Sequence, residues 1–432
     1  MSSRQAIPTM ARGRIVALAV ISMIASTTLV ALPGSPAAAA SADPAVIGDW
    51  NEVAVATIVT DAGKASVEAF MWFAYEQAAV YNAVVGITRR YELYRWNSLG
   101  PRWASPEAAA ATAAHDILLE YFPASETRLS DALTASLDAI PDGDAKDAGM
   151  EYGARAARRI IALRADDGRL ANVPFDEPAA PGVWRPTPPT FTPFFGTWLS
   201  KLDPFVTQSP SGFRPGPPPG LRSDVYTREF REVKRLGSVD STARSPGQTK
   251  TALFFSDVGI GGFQAAMRDT VGRRDLDISE AARLFAAVDL SIIDAAIAVW
   301  DAKLYYAWWR PITAIQLANT DGNPDTTRDS DWTPLVATPP YPDYPSGLCG
   351  AMAAASRAMA GVLDIGRGRI DVTMTSAAAG QTRHYTSKAD LLRDAIDARV
   401  WSGLHFRTAD RVAVDIGTLV ARRALANWFQ PA

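Results

Sequence analysis

The chain has 432 residues and a formal net charge of −3, from 43 Lys and Arg against 46 Asp and Glu. That near-balance offers no basic surface for nucleic acid and no acidic binding arm, so an anion site must be a local cluster of cations. One cysteine, Cys349, excludes an internal disulfide and a cysteine-based zinc set, while 48% apolar residues can supply a large core.

The first forty residues read as an export signal. Arg4, Arg12 and Arg14 precede an apolar stretch over 15–32, and small residues follow over 36–42, with an Ala-x-Ala pattern ending at Ala40. The apolar stretch sits at the short end of a spanning helix. The alanine-rich zone favours cleavage over retention as an anchor, and the absence of an Arg-Arg pair argues against the twin-arginine route. No later segment is apolar and uncharged for long enough to span a bilayer. The expected organisation is a signal over 1–40 and a secreted mature part over 41–432.

Residues 50–87 are rich in Ala, Val, Glu and Phe and free of proline, which predicts one or two long helices. Three more are expected over 105–121, 126–140 and 145–165. The first opens on Ser105, Pro106 and Glu107: a capping hydroxyl, a proline at the first helical position and an acidic first turn. Strictly alternating β-branched runs are scarce, so the expected fold is all-α. Residues 174–222 break the pattern with WRPTPPTF and FRPGPPPGL, where proline cannot continue a helix. The same segment carries Trp184, Phe194, Trp198, Phe205 and Phe213. Disordered linkers are poor in aromatics, so an ordered strap is expected between N-terminal helices (41–173) and a C-terminal bundle (223–432).

Helices resume near Ser223 and Thr249, and Ser279 is expected to cap a long one over 280–309. It is apolar on nearly every face, the mark of a central buried helix. Yet it holds Asp289, Asp294, Asp301, Lys303 and Arg310, and buried charges are costly unless paired or used. A long loop over 319–346, full of Asp, Asn and Pro, follows; loops of that length inside a domain are usually functional. Its DGNPDTTRDSD string lacks the spacing of a calcium loop and reads as loop solvation. A small-residue helix is expected over 350–363, the hydroxyl-rich TMTSAAAGQT reads as a surface loop, and a helix over 387–401 ends before Gly403. A last helix starts near Thr408.

Three pieces carry chemistry. In KLYYAWWRP, Lys303 and Arg310 are seven residues apart, almost two helical turns. One continuous helix would project both from one face about 10 Å apart. Both are long enough to converge on one anion. In YPSGLCG, Ser346 and Gly347 end the loop and open a helix, where free backbone N–H groups and the helix dipole attract anions. In ARVWSGLHFRTAD, Arg399 continues the apolar stripe of Leu392 and Ile396, an odd place for a surface charge. A guanidinium suits a tetrahedral oxyanion, and His405 follows the turn at Gly403. A histidine aimed into such a cluster can be a nucleophile or a metal ligand. Each piece alone has an ordinary structural explanation: snorkelling cations, a serine cap, a core histidine.

In this order and spacing the three pieces resemble the superfamily that joins vanadium-dependent haloperoxidases, type 2 phosphatidic acid phosphatases and bacterial acid phosphatases. Its pattern is Lys, six residues, Arg-Pro; then Pro-Ser-Gly-His; then Arg, three residues, Gly, one residue, His. Here stand Lys303 to Arg310-Pro311, Pro345-Ser346-Gly347, and Arg399, Gly403 and His405. The WRPTPP strap, the DGNPDT loop and GLHFRTAD are similar to the secreted, soluble bacterial haloperoxidase-like branch. The resemblance implies two related helical bundles with the site in the C-terminal one. It implies that Lys303, Arg310, Ser346, Gly347 and Arg399 bind the oxygens of vanadate or phosphate. His405 would then bond to vanadium or attack phosphorus. Trp309 would wall the pocket, and Asp410 would orient His405, although it lies five residues on where the family often has four.

One position departs from the pattern: Leu348 stands where a general acid/base histidine is expected. Leucine cannot transfer a proton, and such groups are worth about a hundred- to ten-thousand-fold in rate. His384 is the one unassigned histidine near this region in sequence and a candidate substitute. Three readings follow: a vanadate-dependent haloperoxidase acting on hydrogen peroxide and halide, an acid-phosphatase-type phosphomonoesterase that needs no cofactor, and a non-catalytic anion-binding protein. None calls for nucleic acid, or for a membrane after signal cleavage.

Overall fold

The computed structural model describes residues 42–432 apart from residues 367 and 378; the expected export signal lies outside the described residues. The helices, in chain order, are α1 (Ala45–Val55), α2 (Ser66–Thr88), α3 (Pro106–Tyr121), α4 (Glu126–Asp138), α5 (Asp144–Leu163), α6 (Asp224–Gly237), α7 (Pro246–Asp257), α8 (Gly259–Arg273), α9 (Ile278–Tyr306), α10 (Pro311–Gln316), α11 (Gly347–Val362), α12 (Lys388–Trp401) and α13 (Arg407–Asn427). An antiparallel hairpin, β1 (Arg369–Ser376) with β2 (Gln381–Ser387), joins α11 to α12. The chain is therefore mostly helical.

Ser105 caps α3 as expected, its hydroxyl accepting from the Ala108 N–H with Pro106 at the first helical position. The segment over 50–87 is two α-helices, broken after a π-helical turn at Ala56–Asp61. The TMTSAAAGQT string is not a surface loop. It forms much of the hairpin, with Ile370, Val372, Met374 and Ser376 buried in alternation, the pleat period of a half-buried strand.

Helix α9 runs through the core and is buried at all but Glu280, Arg283 and Asp301 between Ile278 and Lys303. Its cap is Asp277, not Ser279: the Asp277 carboxylate accepts from the N–H groups of Ser279 and Glu280, and the Glu280 side chain returns to the Asp277 N–H. It also ends earlier than expected. Ala307 adopts a left-handed conformation (φ 46°) and closes the helix on the Lys303 carbonyl. Arg310, which precedes Pro311, is extended (φ −82°, ψ 156°), because proline excludes the helical region for the residue before it.

The proline-rich segment over 174–222 is an ordered strap, with Trp184, Phe194, Leu199 and Phe205 buried. Its anchors explain two of the acidic residues in α9. Asp294 accepts from the N–H groups of Phe205 (2.6 Å), Val206 (3.0 Å) and Thr207 (2.7 Å) and from the Thr207 hydroxyl (2.7 Å). Asp301 takes a two-pronged bond from Arg214 at 2.9 and 3.0 Å. The strap also pairs with the turn after α9, where the Trp184 N–H donates to the Ala307 carbonyl and the Trp309 N–H to Gly182. The strap thus fixes the backbone that presents Arg310.

Asp289 has no such partners. It accepts one bond, from the Gln264 amide, and burial pushes its carboxyl up to about 7. Glu76 on α2, wholly buried, is raised by burial and then by Asp289. An acid whose native pKa lies above its unfolded value binds more protons when folded. Stability from such a group is complete below about pH 4 and is lost as pH rises toward 7. Asp289→Asn is expected to flatten the dependence of chemical-denaturation midpoint on pH over that window and to stabilise the protein at pH 7 and above. A slope unchanged from wild type would refute this assignment.

Candidate active site

Each cation of the site is brought in by a different local device. Lys303 comes from the last turn of α9, Arg310 from the extended residue before Pro311, and Arg399 from the last turn of α12. The expectation that Lys303 and Arg310 share one helix face is therefore wrong, yet the turn between them still brings both to one place. His405 follows Gly403, whose φ of 78° is open to glycine and whose absent side chain lets the chain pass against Gly237 and Pro334. Ser346 sits at the N-cap of α11 but does not cap it, leaving the first-turn N–H groups directed outward from the helix start.

Lys303, Arg310, Ser346 and Asp410 are 0% exposed, His405 1% and Arg399 7%. The Lys303 ammonium donates to the carbonyls of Pro342 and Asp343 (3.2 Å for the latter). Arg310 donates through Nε to Tyr341 O (2.8 Å) and through Nη1 to Leu404 O (2.8 Å). The Tyr341 ring faces both cations, 5.1 Å from Lys303 Nζ and 5.0 Å from the Arg310 guanidinium carbon. Burial, then the charge of Arg310, pushes Lys303 well below its ordinary range, and burial lowers Arg310. Burial followed by the charges of Arg310, Arg399 and Lys303 holds His405 well below its ordinary range, so its ring is neutral. Among the described residues, Arg310 Nη2 and Arg399 Nε are buried donors with no partner. Unspent buried donors on two guanidiniums, beside an open helix N-terminus, fit a tetrahedral oxyanion such as vanadate or phosphate.

Two carboxylates share this site. Asp410 lies beside Cys349, whose Sγ is 3.4 Å from Oδ1, and burial pushes its carboxyl up to about 7, opposed by the Ser346 hydroxyl and Arg399. It does not meet His405 in the role expected of it. The carboxylate nearest the ring is that of Asp343, which no sequence motif singled out: its Oδ1 lies 2.8 Å from His405 Nδ1 without making a hydrogen bond, and burial pushes its carboxyl well above the ordinary range. Asp343 is one of several acids in a loop rich in them, and no spacing singles it out. Trp309 is buried with Tyr226, Phe230, Val400 and Phe406 in a small cluster of its own. His384 is not in the site. It lies on the exposed side of β2, with Nδ1 3.0 Å from the Thr373 hydroxyl and Nε2 3.5 Å from Asp371. Leu348 is half-buried in the first turn of α11 and packs against the core.

Residues 283–430 match the family model described as the VCPO second helical-bundle domain, and these residues contain the whole constellation. Over those residues the chain is similar to the vanadium haloperoxidases. Among proteins it is similar to, the vanadium chloroperoxidase of Curvularia inaequalis is 32% identical over 218 residues, 40% of this chain; the match spans 34% of that relative's length. Among solved structures, a bacterial vanadium-dependent iodoperoxidase aligns with a TM-score of 0.77 at 22% identity, over 90% of this chain and 97% of its own. The apo form of a bacterial vanadium-dependent chloroperoxidase aligns with a TM-score of 0.69 at 18% identity, over 84% and 92%. At those identities the likeness is one of fold.

Proposed function

We propose that the chain is an exported, vanadate-dependent haloperoxidase that oxidises halide with hydrogen peroxide. The observation that carries the reading is the buried convergence of Lys303, Arg310 and Arg399 on the neutral ring of His405, with guanidinium donors left over. Lys303, Arg310, Arg399 and the N–H groups at Ser346 and Gly347 would hold the oxygens of vanadate, and His405 would be its protein ligand. When bound, vanadate supplies the Lewis acidity that activates peroxide. The protein's part is to exclude water, to neutralise the anion with three fixed cations, and to keep the ring nitrogen unprotonated. Export rests on the N-terminal arrangement of arginines, apolar stretch and alanine-rich zone. No helix among the described residues is long and apolar enough to cross a membrane.

A non-catalytic anion-binding role is favoured by Leu348 and by the two carboxylates in the cradle, and the same site could hydrolyse a phosphomonoester. The deciding measurement is bromide oxidation by the protein with hydrogen peroxide, before and after loading with orthovanadate. The haloperoxidase reading expects a vanadate-dependent rate that falls to background in His405→Ala. No rate in a folded sample that binds vanadate rejects it. Phosphatase turnover inhibited by vanadate would then select the second enzyme, and its absence the binding protein.

A further inference from the structure

Away from the cation cradle, the loop after α2, the strap and the end of α13 enclose a cleft of about 480 Å³. Part of its lining is apolar. Trp428 and Phe213 contribute rings, and Leu419 is 47% exposed there. The Trp428 indole N–H donates to the Val206 carbonyl at 3.0 Å, so its ring offers the cleft apolar surface and no donor. Two arginines, Arg95 and Arg423, stand in the same lining, and none of the described lining residues is acidic. Neither arginine has a carboxylate partner among the described residues. Elsewhere in the molecule Arg214 pairs with Asp301, and Arg407 with Glu232 and Asp397. Arg95 is also held in a costly backbone conformation, left-handed at φ 46°. Its carbonyl is clamped by Arg159, which donates from Nε and Nη2 at 3.2 and 2.8 Å, and its guanidinium lies over the rings of Tyr94 and Trp428 at 5.8 and 5.6 Å. Its donors are nearly unspent: Nη2 meets the Pro204 carbonyl at a long 3.4 Å, and Nε is buried without a partner. Strain of this kind persists where the surroundings over-determine it, as at ligand clamps.

We propose that this cleft is a second binding site and that it takes an organic carboxylate, the acid group held by Arg95 and Arg423 and the apolar body by Trp428, Phe213 and Leu419. A guanidinium matches a carboxylate in shape and charge. The cleft has the size of a small-molecule pocket, in which apolar surface provides the area and a few polar groups fix the orientation. A halide or an inorganic oxyanion would leave the apolar wall unused, and a neutral ligand would leave the two cations unpaired. The strap supplies one side of the cleft, so the bound molecule would tie it to the loop after α2 and to α13. None of Lys303, Arg310, Arg399 or His405 lines this cleft, and the proposal stands apart from the functional reading above.

The test is calorimetric titration of the full chain with hexanoate, benzoate and naphthoate, and with the neutral naphthamide, all in saturating inorganic phosphate so that the cation cradle is occupied. The expected result is one site for naphthoate with a dissociation constant of about a millimolar or tighter, and naphthamide weaker by about ten-fold or more, the usual worth of a charge-assisted hydrogen bond. Arg423 is exposed, so Arg423→Gln should fold as the wild type does and weaken naphthoate by a similar factor. Arg95→Gln should do the same, and Arg423→Gln carries the test alone if that variant does not fold. Four outcomes overturn the proposal. No heat from any of the three acids at about 5 mM, far above that dissociation constant, means that the cleft holds no such ligand. An amide that binds as tightly as the acid means that the arginines play no part. Naphthoate binding that Arg423→Gln leaves unchanged places the acid elsewhere. Binding that appears when phosphate is omitted and vanishes when it is restored places the acid in the cradle.

Discussion

Leu348→His is expected to raise the vanadate-dependent bromide oxidation rate by about a hundred-fold or more, the usual worth of a positioned acid/base group. Leu348 is the second residue of α11, flanked by Gly347 and by Cys349, which touches Asp410. It is half-buried, so an imidazole of similar reach can be accommodated without opening the core. The N-terminal dipole of a helix disfavours the imidazolium, which keeps the new ring a neutral base near pH 7. Parallel steady-state assays of wild type and variant, each loaded with orthovanadate, read the effect. A variant that folds, binds vanadate and shows no gain would mean that the leucine is not what limits turnover, and would strengthen the non-catalytic reading.

Asp294→Ala is expected to destabilise the protein by roughly 3–5 kcal/mol. The carboxylate is buried and accepts four bonds, three from backbone N–H groups of the strap. Its removal leaves Phe205, Val206 and Thr207 with donors that neither water nor another acceptor satisfies. Chemical denaturation measures the loss. Limited proteolysis should show new cleavage near Phe205, because the segment there is irregular and held down largely by this residue. Asp294→Asn retains one acceptor oxygen and should cost less. Equal effects from the two substitutions would mean that the charge, rather than the set of bonds, is what the strap needs.

The helical fold, the cap at Ser105 and the ordered strap are legible in the sequence because each follows from local chemistry: proline and capping side chains, and the insolubility of a segment rich in Trp and Phe. The convergence of Lys303 and Arg310 is also legible, though by a path the chain does not take. Helical periodicity brought them together on paper, while Ala307 and Pro311 do so in the fold. The hairpin was obscured by its hydroxyls: Ile370, Val372 and Met374 alternate as a strand should, but Thr373, Thr375 and Ser376 gave the stretch the look of a loop. Asp343 was out of reach. It lies against His405, sixty-two positions on, and nothing local to YPDYPSG says which acid will face inward. His384 shows the converse, since nearness in sequence to a site carries no information once a hairpin turns the residue outward.

Helix α9 also bears on how this chain can be divided. The matched domain begins at residue 283, which is inside α9 and beyond its Asp277–Glu280 cap. A fragment cut there would start on an uncapped, apolar helix. It would leave behind α2, which packs along α9, and the strap that Asp294 and Asp301 hold. Lys303 is carried by the same helix, so the exposed end and the anion cradle would be parts of one rod. A recognisable unit of sequence is therefore not a unit of folding here. Gene fusions, splits or exchanges in this lineage would have to respect the helix, and inherit its N-terminal half together with the chemistry at its C-terminal end.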